Sequence, residues 1–321
     1  MRALCYIGRL KQGAFNLVAR DGLEWLECGA LARFPWLLHA FSTRRGGGSE
    51  APAAGLNLCF IAAETRASVE KNRRRFFAQL GAERFALAAL RQRHSTHIYQ
   101  VLRAASGQLE YCPSAFPAPD RPDRLLPIGD ALVTDQPGVL LSVRVADCLP
   151  VLVLDPRQRA VAAIHAGWRS ALGRIIEKSV GLMRAVFGSD PQHLLAALGP
   201  SIRACCYEVG EEIVSTFCGR FPRGEQFFRE ASAASPSTVR AARDSLPFLS
   251  AQPPGHGTRP APGAHLDLVA VALDQLRSAG VRSSGIQVAD FCTACRTDLF
   301  FSHRKEGKDT GRTMAVIGIR G

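Results

Sequence analysis

The centre of the chain constrains its fold most, because three short apolar runs follow one another there. They cover residues 139–145, 151–154 and 160–164, and the turn formers Asp155-Pro156 separate the last two. Apolar runs of this length that end at turn residues are typical of β-strands. We therefore predict a β-sheet in the middle of the chain.

Helical patterns alternate with these strands. Apolar residues recur at helical spacing over 172–187 and 266–276, and Gly188 and Gly280 follow the two patterns. Further strands are expected at 194–198, 286–289 and 314–319. We expect the C-terminal strand to close a sheet. The alternation predicts an α/β fold of the mixed α+β kind.

A length of 321 residues, 47% of them hydrophobic, is enough for one large core or two smaller ones. The stretch 221–262 is rich in Ala, Ser, Pro and Arg and has little periodicity, which indicates a partly disordered surface insertion. Motifs on its two sides belong together, as described below. We therefore predict a single domain over 1–321 that contains this insertion.

The sequence shows neither a membrane-spanning nor a secretory segment. No uncharged apolar stretch reaches about 18 residues, the length that spans a bilayer. The N-terminus lacks the apolar segment and cleavage site of a signal peptide. Ten irregularly spaced cysteines are too dilute for a disulfide scaffold. We expect a soluble, cytoplasmic protein with no membrane partner.

Basic residues outnumber acidic residues by 40 to 28, which gives a formal net charge of +12. The densest basic cluster comprises Lys71, Arg73, Arg74 and Arg75, on a predicted helix that ends at Gly81. No RNP, zinc-finger or helix-turn-helix signature accompanies it. The cluster therefore indicates a solvated helix face, and nucleic acid is not expected as a partner.

Three residues that commonly bind metals stand at the ends of strand-like runs: His94, Cys148 and His165. Two imidazoles and a thiolate suit zinc, and three protein ligands leave a fourth position open for catalysis. Their separations match no compact zinc motif, however, and a cysteine in a buried strand is usually an inert apolar residue. The residues alone leave both interpretations open.

A glycine-rich loop, FSTRRGGGS over 41–49, is the second candidate site. Its backbone amides could surround an anion that Arg44 grips with its guanidinium, with Ser42 beside it, and phosphate is the natural anion. The alternative is a flexible loop with a solvated arginine pair. The loop does not match a P-loop.

Two further segments contain reactive side chains. In LGPSIRACCYEVGEEI, the neighbours Cys206, Tyr207 and Glu208 could contact or protonate a purine, whereas Glu208 could equally cap a helix that starts near Val209. The pair of cysteines in DFCTAC has no second CxxC and no thioredoxin-like context, so we interpret it as structural.

Nine motifs occur in an order typical of one protein family. The chain resembles the YfiH-type laccase-domain family, also labelled polyphenol oxidases, over about 30–220 and 263–321. The motifs are FSTRRGG, Asn57-Leu58, LRQRH, GDALVT, VADCLPV, AAIHAGWR, LGPSI with CCYEVG, DFCTAC and FFSHRKEGKDTGR.

The resemblance implies a single domain with layers in the order α/β/β/α, and one zinc ion, rather than copper, held by His94, Cys148 and His165. It implies cleavage of adenosine, inosine, guanosine and methylthioadenosine by phosphate, giving the base and ribose-1-phosphate, and deamination of adenosine. Purine nucleosides and phosphate are then the partners of a monomer or homodimer. The matching catalytic residues are Arg44, Cys148 and His165, and the substrate-binding residues are Ser42, Arg44, Asn57, Cys206, Tyr207 and Glu208.

The sequence departs from the family pattern at several motifs. Arg144 stands where the family prefers Leu or Val, Ser201 replaces a frequent Cys, and His303 lies in FFSHRK where FFSYRR is usual. None of these changes removes a proposed metal ligand, but Arg144 and His303 could alter the substrate preference.

Three other functions are alternatives, and the first of them is disfavoured. A multicopper oxidase needs about ten histidines in paired HxH motifs, whereas this chain has eight and no HxH. A cysteine hydrolase would use Cys148 as the nucleophile and His165 or His94 as the base. A non-enzymatic basic protein would bind nucleic acid in a salt-dependent manner.

Overall fold

The computed structural model describes residues 14–113, 126–229 and 263–321, and these residues form two compact units. The main unit comprises the described parts of Met1–Arg203 and Leu268–Gly321, and the small unit those of Ala204–Asp267. The predicted mixed α/β fold is confirmed. Within the described ranges, no helix has the length and apolar character needed to cross a membrane.

The strands of the described residues are β1 Phe15–Arg20, β2 Leu23–Cys28, β3 Leu37–Ser42, β4 Ala86–Ala88, β5 Ile98–Arg103, β6 Leu109–Pro113, β7 Ala131–Thr134, β8 Val139–Val145, β9 Leu149–Asp155, β10 Ala160–Ala166, β11 Leu195–Leu198, β12 Glu208–Val209, β13 Phe228–Arg229, β14 Ala264–Leu266, β15 Ile286–Val288 and β16 Thr313–Ile319. Their α-helices are α1 Gly29–Ala32, α2 Arg66–Leu80, α3 Trp168–Leu172, α4 Ile175–Phe187, α5 Glu211–Arg220, α6 Leu268–Ser278 and α7 His303–Glu306. Short 3-10 turns cover Pro191–His193, Gly224–Phe227 and Ser283–Gly285.

The main unit contains two mixed sheets. The six-stranded sheet has the order β1-β2-β3-β16-β8-β4, and the seven-stranded sheet has the order β15-β11-β9-β10-β7-β5-β6. The C-terminal strand β16 pairs with β3 on one side and β8 on the other. Our expectation that it closes a sheet is therefore wrong, since its seven buried residues fill the interior of one.

The two sheets pack face to face over a shared apolar core. Phe41, Leu141 and Ile317 of the six-stranded sheet lie in one cluster with Leu152 and Val161 of the seven-stranded sheet. The burial of these side chains is the main driving force for this arrangement.

Helices cover the outer faces of both sheets. Phe76 and Leu80 of α2 pack with Trp25, Ala40 and Val316 on the six-stranded sheet. On the seven-stranded sheet, α4 contacts β10 and also packs against α6. Within the main unit the layers therefore follow the expected order α/β/β/α.

The helix predicted over 172–187 is in fact two helices. Gly173 ends α3, and Arg174 adopts a left-handed conformation with φ of +61° before α4 begins. Gly188 ends α4 as predicted. The helix predicted from Leu266 begins only at Leu268, because Leu266 belongs to β14.

The basic helix α2 ends at Gly81, as predicted, but its cationic face is only partly solvated. Arg73 is half-buried and donates from Nε to the carbonyl of Leu58 at 2.9 Å. Arg75 donates to the carbonyl of Gly46 at 2.7 Å. Two of the four cations thus bind loop backbone instead of facing only water.

The small unit has its own sheet and aromatic core. Strand β14 pairs with β12 and β13, and Phe217 of α5 packs against Phe221, Phe227 and Phe228. Residues 221–229, the start of the predicted insertion 221–262, are therefore folded, and the remainder lies outside the described residues.

Candidate metal centre

His94, Cys148 and His165 come together in the main unit, although they are far apart in the sequence. Their ligand atoms all lie within 4.8 Å of one another. The Nε2 atom of His94 lies 3.4 Å from Cys148 Sγ, and the two imidazole rings have centroids 5.0 Å apart. The predicted convergence of these three side chains is present in the structure.

The register of β9 and β10 accounts for two of the three positions. These antiparallel strands pair His165 with Pro150 and Ala166 with Leu149. Cys148 immediately precedes Leu149, so it lies at the same end of the hairpin as His165. The apolar runs seen in the sequence thus fix the spacing of both ligands.

Asp130 fixes the positions of His94 and His165 by hydrogen bonds. Its Oδ1 accepts a hydrogen bond from His165 Nδ1 at 2.7 Å and another from the backbone N–H of His94 at 3.0 Å. Its Oδ2 accepts from the N–H groups of Arg93 and Ser95 and from the Ser95 hydroxyl. This fully buried carboxylate thereby fixes the loop that carries His94 and turns His165 Nε2 toward the site.

Asp130 is a residue of the site that the sequence patterns did not identify. It lies inside the motif GDALVT, directly before the buried strand β7. A carboxylate at the start of an otherwise apolar strand is the signal that could have identified it, because a buried carboxylate needs several donors.

A second carboxylate shapes the backbone beside Cys148. Asp147 has a φ of +90°, and its carboxylate accepts from Thr293 Oγ1 at 2.7 Å and from the backbone N–H of Arg304 at 2.6 Å. Its carbonyl accepts from the N–H of Ile202 at 2.8 Å. Three hydrogen bonds thus stabilise the strained backbone at Asp147, directly before Cys148.

Gly167 leaves the space that the three ligands face. A Cβ atom at this position would lie 2.2 Å from Cδ2 of His94 and 3.1 Å from Cys148 Sγ. Any larger residue would therefore displace His94 or Cys148. The glycine is required here by the close approach of side chains and not by its backbone angles.

The electrostatics favour an ionised thiol. Burial raises the pKa of Cys148, but the charge of His165 and hydrogen bonds from His165 and His94 outweigh burial and lower the pKa to about 6. Burial likewise opposes the protonation of His165, but the charge of Cys148 and the hydrogen bonds to Asp130 and Cys148 raise its pKa to about 9. At neutral pH the sulfur is therefore a thiolate, which is the form that binds metals.

The donor set fits a tetrahedral metal ion. Bonds of about 2.0 Å to nitrogen and about 2.3 Å to sulfur place two such ligands about 3.5 Å apart, close to the 3.4 Å between His94 Nε2 and Cys148 Sγ. The group of three can hold a metal ion and leave one coordination position open.

In the glycine-rich loop, protein groups bind Arg44, and its predicted contact with an anion stays a prediction. Arg44 donates from Nη1 to Glu306 at 2.6 Å and to the carbonyl of Thr297 at 2.8 Å, and from Nη2 and Nε to the carbonyl of Ala54. Its guanidinium also stacks on Phe301 at 4.4 Å. All three of its guanidinium nitrogens thus bind protein groups.

Ser42 and Asn57 are buried as well. The Ser42 hydroxyl accepts from the N–H of Met314 at 2.9 Å. The Asn57 amide donates to Glu64 and to the Cys59 carbonyl, and accepts from the N–H groups of Cys59 and Arg312. Both predicted substrate contacts hold loops together in this structure, and their substrate roles stay predictions.

Cys206, Tyr207 and Glu208 lie in the small unit, whereas the three metal-binding residues lie in the main unit. Glu208 begins β12 and pairs with His265, and Gly210 is the N-cap of α5. The alternative that Glu208 caps this helix is therefore wrong. The predicted purine contacts of these three residues stay predictions.

Several known proteins are similar to this chain in sequence or in fold. Purine nucleoside phosphorylase YlmD of Geobacillus stearothermophilus is 32% identical over 309 residues, 95% of this chain and 98% of the relative. Adenosine deaminase RL5, from an unknown prokaryotic organism, is 31% identical over 281 residues, 87% of this chain and 93% of the relative. The crystal structure of the hypothetical protein YfiH from Bacillus licheniformis matches with a TM-score of 0.74 at 26% identity, covering 95% of this chain and 99% of that chain.

The family model of the multi-copper polyphenol oxidoreductase laccases matches residues 38–320. This range includes both sides of the predicted insertion and all three residues of the candidate metal centre. Because the match covers most of the chain, the protein belongs to the multi-copper polyphenol oxidoreductase laccase family.

Proposed function

We propose that the protein is a zinc-dependent purine nucleoside phosphorylase. In this reaction a phosphate oxygen attacks C1′ of the ribose, the bond from C1′ to the purine nitrogen breaks, and the purine leaves with a proton. The products are the free base and ribose-1-phosphate. Adenosine, inosine, guanosine and methylthioadenosine are the proposed substrates. The names of relatives such as YlmD support this proposal.

The observation that carries the proposal is the convergence of two imidazoles and one thiolate around the space left by Gly167. A cysteine hydrolase needs only one base beside its thiol. Here His94 Nε2 is 3.4 Å from Cys148 Sγ, while Asp130 orients His165 from behind. A second imidazole at the same sulfur favours metal binding over nucleophilic attack.

The chain's own residues prepare this centre. Asp130 accepts a hydrogen bond from Nδ1 of His165, so Nε2 is the nitrogen that faces the site and can bind a metal ion once it has lost its proton. Cys148 supplies the thiolate, and Asp147 fixes the corner that carries it. A bound zinc ion would supply Lewis-acid stabilisation of developing negative charge and a more acidic bound water.

Adenosine deamination is the second proposed activity, because one relative is named adenosine deaminase. Hydrolytic deamination replaces the amino group at C6 with oxygen from water and releases ammonia. Both activities would share the same three ligands. The choice of metal is part of the proposal too, since two histidines and a cysteine also bind copper in some proteins.

The test is to incubate metal-analysed protein with inosine or adenosine, with and without phosphate, and to separate the products by chromatography. We expect one zinc ion per chain, and free base together with ribose-1-phosphate only when phosphate is present. Cys148→Ala should lose both metal and turnover. Base release without phosphate, or full turnover by this variant, would overturn the proposal.

Alkylation separates the metal centre from a cysteine nucleophile. With metal bound, Cys148 should resist iodoacetamide, and it should react quickly once a chelator has removed the metal. Rapid alkylation of Cys148 in the metal-loaded protein, with parallel loss of activity, would instead support a cysteine hydrolase.

A further inference from the structure

Two arginines that have no role in the proposed chemistry lie against the same short segment, residues 58–60. Arg73 of α2 donates from Nε to the carbonyl of Leu58 at 2.9 Å, and its guanidinium stacks on the ring of Phe60 at 4.4 Å. The Nη1 atom of Arg144, on β8, lies 3.7 Å from Cys59 Sγ. Two guanidinium groups from distant parts of the chain thus meet at one place.

Within the described part of the chain, neither arginine forms an ion pair with a carboxylate. The nearby Glu70 already pairs with Arg66 at 2.7 Å. Burial lowers the pKa of Arg73, and the positive charge of Arg144 lowers it further, although Cys59 and Glu70 oppose this effect. Two half-buried like charges without a counter-ion are unfavourable, and a bound anion would relieve this repulsion.

The donors of Arg73 are available to a ligand. Its hydrogen bond to Leu58 uses Nε alone, so both terminal nitrogens remain for a bidentate contact with an oxyanion. Arg144 is held more firmly, because Nη2 donates to the carbonyl of Leu90 and Nε to Oε1 of Gln92 at 3.4 Å. Arg144 thus supplies a positive charge in a fixed position, whereas Arg73 supplies two terminal nitrogens that can donate to a ligand.

The pair is connected to the metal centre through the backbone. Gln92 donates to the carbonyl of Arg144 at 2.8 Å and accepts from its N–H at 2.9 Å. Gln92 lies two residues before His94, and Arg144 lies four residues before Cys148. His94 and Cys148 therefore follow closely after two residues, Gln92 and Arg144, that are hydrogen-bonded to each other.

We propose that Arg73 and Arg144 form a binding site for a phosphate group, and that its ligand is inorganic phosphate, the co-substrate. The identification of the co-substrate rests on the proposed phosphorolysis, whereas the anion site does not. A phosphate at the 5′ position of a nucleotide presents the same chemistry, so the experiment includes both sources.

The experiment titrates metal-loaded protein with inorganic phosphate by calorimetry. Arg73→Gln and Arg144→Leu should each raise the Kd for phosphate at least about tenfold, because the first removes a charged donor and the second a positive charge from a half-buried site. The control is Arg74→Gln, which makes the same change at the next residue of α2, where the side chain is exposed. It should leave the Kd within about twofold.

Cys59 reports binding independently of calorimetry. Because Cys59 Sγ lies beside Arg144, bound phosphate should slow its alkylation by iodoacetamide, measured by mass spectrometry of the peptide that contains it. Protection should disappear in Arg73→Gln, while the metal content stays at its original value. A merely structural role for the arginines would lower the melting temperature and leave phosphate protection intact.

Three outcomes separate this inference from the proposed function. If both arginine variants keep the original Kd and the original KM for phosphate, the anion site is wrong and phosphorolysis can stand. If the variants lose phosphate binding but the protein never cleaves nucleosides, the site stands and the proposed function fails. If adenosine 5′-monophosphate binds through the arginines and inorganic phosphate does not, the site stands and the co-substrate assignment is wrong.

Discussion

The metal centre and the glycine-rich loop both place chemically active side chains beside glycine, but they differ in how many polar atoms are already hydrogen-bonded to protein groups. At the metal centre, Asp130 binds the rear nitrogen of His165 and leaves the front nitrogen facing His94 and Cys148. In the loop, all three guanidinium nitrogens of Arg44 bind carbonyls or Glu306. The metal centre thus has nitrogen and sulfur atoms available to a ligand, whereas every guanidinium nitrogen of Arg44 already binds a protein group.

This difference shows how a functional side chain can be distinguished from a structural one. Hydrogen bonds that orient a side chain from behind prepare it for a ligand. Hydrogen bonds at every guanidinium nitrogen, as in Arg44, hold the surrounding loops together instead. The four predictions below test this distinction.

The largest effect is expected from removing the thiolate. Cys148→Ala should reduce bound metal from about one ion per chain to almost none and lower kcat/KM at least about 100-fold, because the loss of supporting groups alone costs 10-fold to 100-fold at such sites. Metal analysis and product chromatography measure the two effects. Cys112→Ala, at a partly buried cysteine on β6, is the control and should retain both. Retention of metal by Cys148→Ala would remove the distinction between the two regions.

The next effect concerns the orienting carboxylate. Asp130→Asn should weaken metal binding by about 10-fold to 100-fold, since the amide cannot accept at both positions from the His94 loop and from His165. Competition with a chromophoric chelator measures the affinity. The matched control is Asp155→Asn, at another buried carboxylate that accepts backbone N–H groups, here at the opposite end of β9. Equal metal affinity in the two variants would show that Asp130 has no special role.

The sequence predicted the ligands of the metal centre better than the residues that orient these ligands. Resemblance and apolar strand patterns identified Cys148 and His165, because the positions depend on regular pairing of β9 and β10. Asp130 was missed because its value comes from contacts with the loop before it, and no local pattern records such contacts. The role of Arg44 is equally nonlocal, since Glu306 is distant in the sequence.

Helix boundaries failed for a related reason. The spacing of apolar residues over 172–187 continues through Arg174, but this residue turns into a left-handed conformation that separates α3 from α4. Hydrophobic periodicity reports which face is buried and does not report such a local break. The C-terminal end was predictable, because Gly188 provides a left-handed C-cap.

A smaller effect is expected from filling the space at the metal centre. Gly167→Ala should lower metal affinity about tenfold, because the new methyl group would lie 2.2 Å from His94 Cδ2 and force that ring to move. Gly181→Ala is the control, since no neighbouring atom lies within 4 Å of an added Cβ in α4. It should stabilise the protein by about 0.5–1 kcal/mol. Unchanged metal affinity in Gly167→Ala would mean that the ligands do not share this space.

The smallest effect tests the loop itself. Arg44→Gln should reduce the free energy of unfolding by about 1–2 kcal/mol, because it removes the Arg44 donor from Glu306 Oε1 and from the Thr297 carbonyl. Arg45→Gln is the control, since its pairs with Glu24 and Asp298 are exposed and should be worth at most about 0.5 kcal/mol. Denaturant unfolding measures both. If Arg44 binds phosphate directly, its variant will instead raise the KM for phosphate at nearly unchanged stability. That outcome would mean that the loop must break internal hydrogen bonds to receive the anion, and a side chain whose nitrogens all bind protein groups could then still be a binding residue.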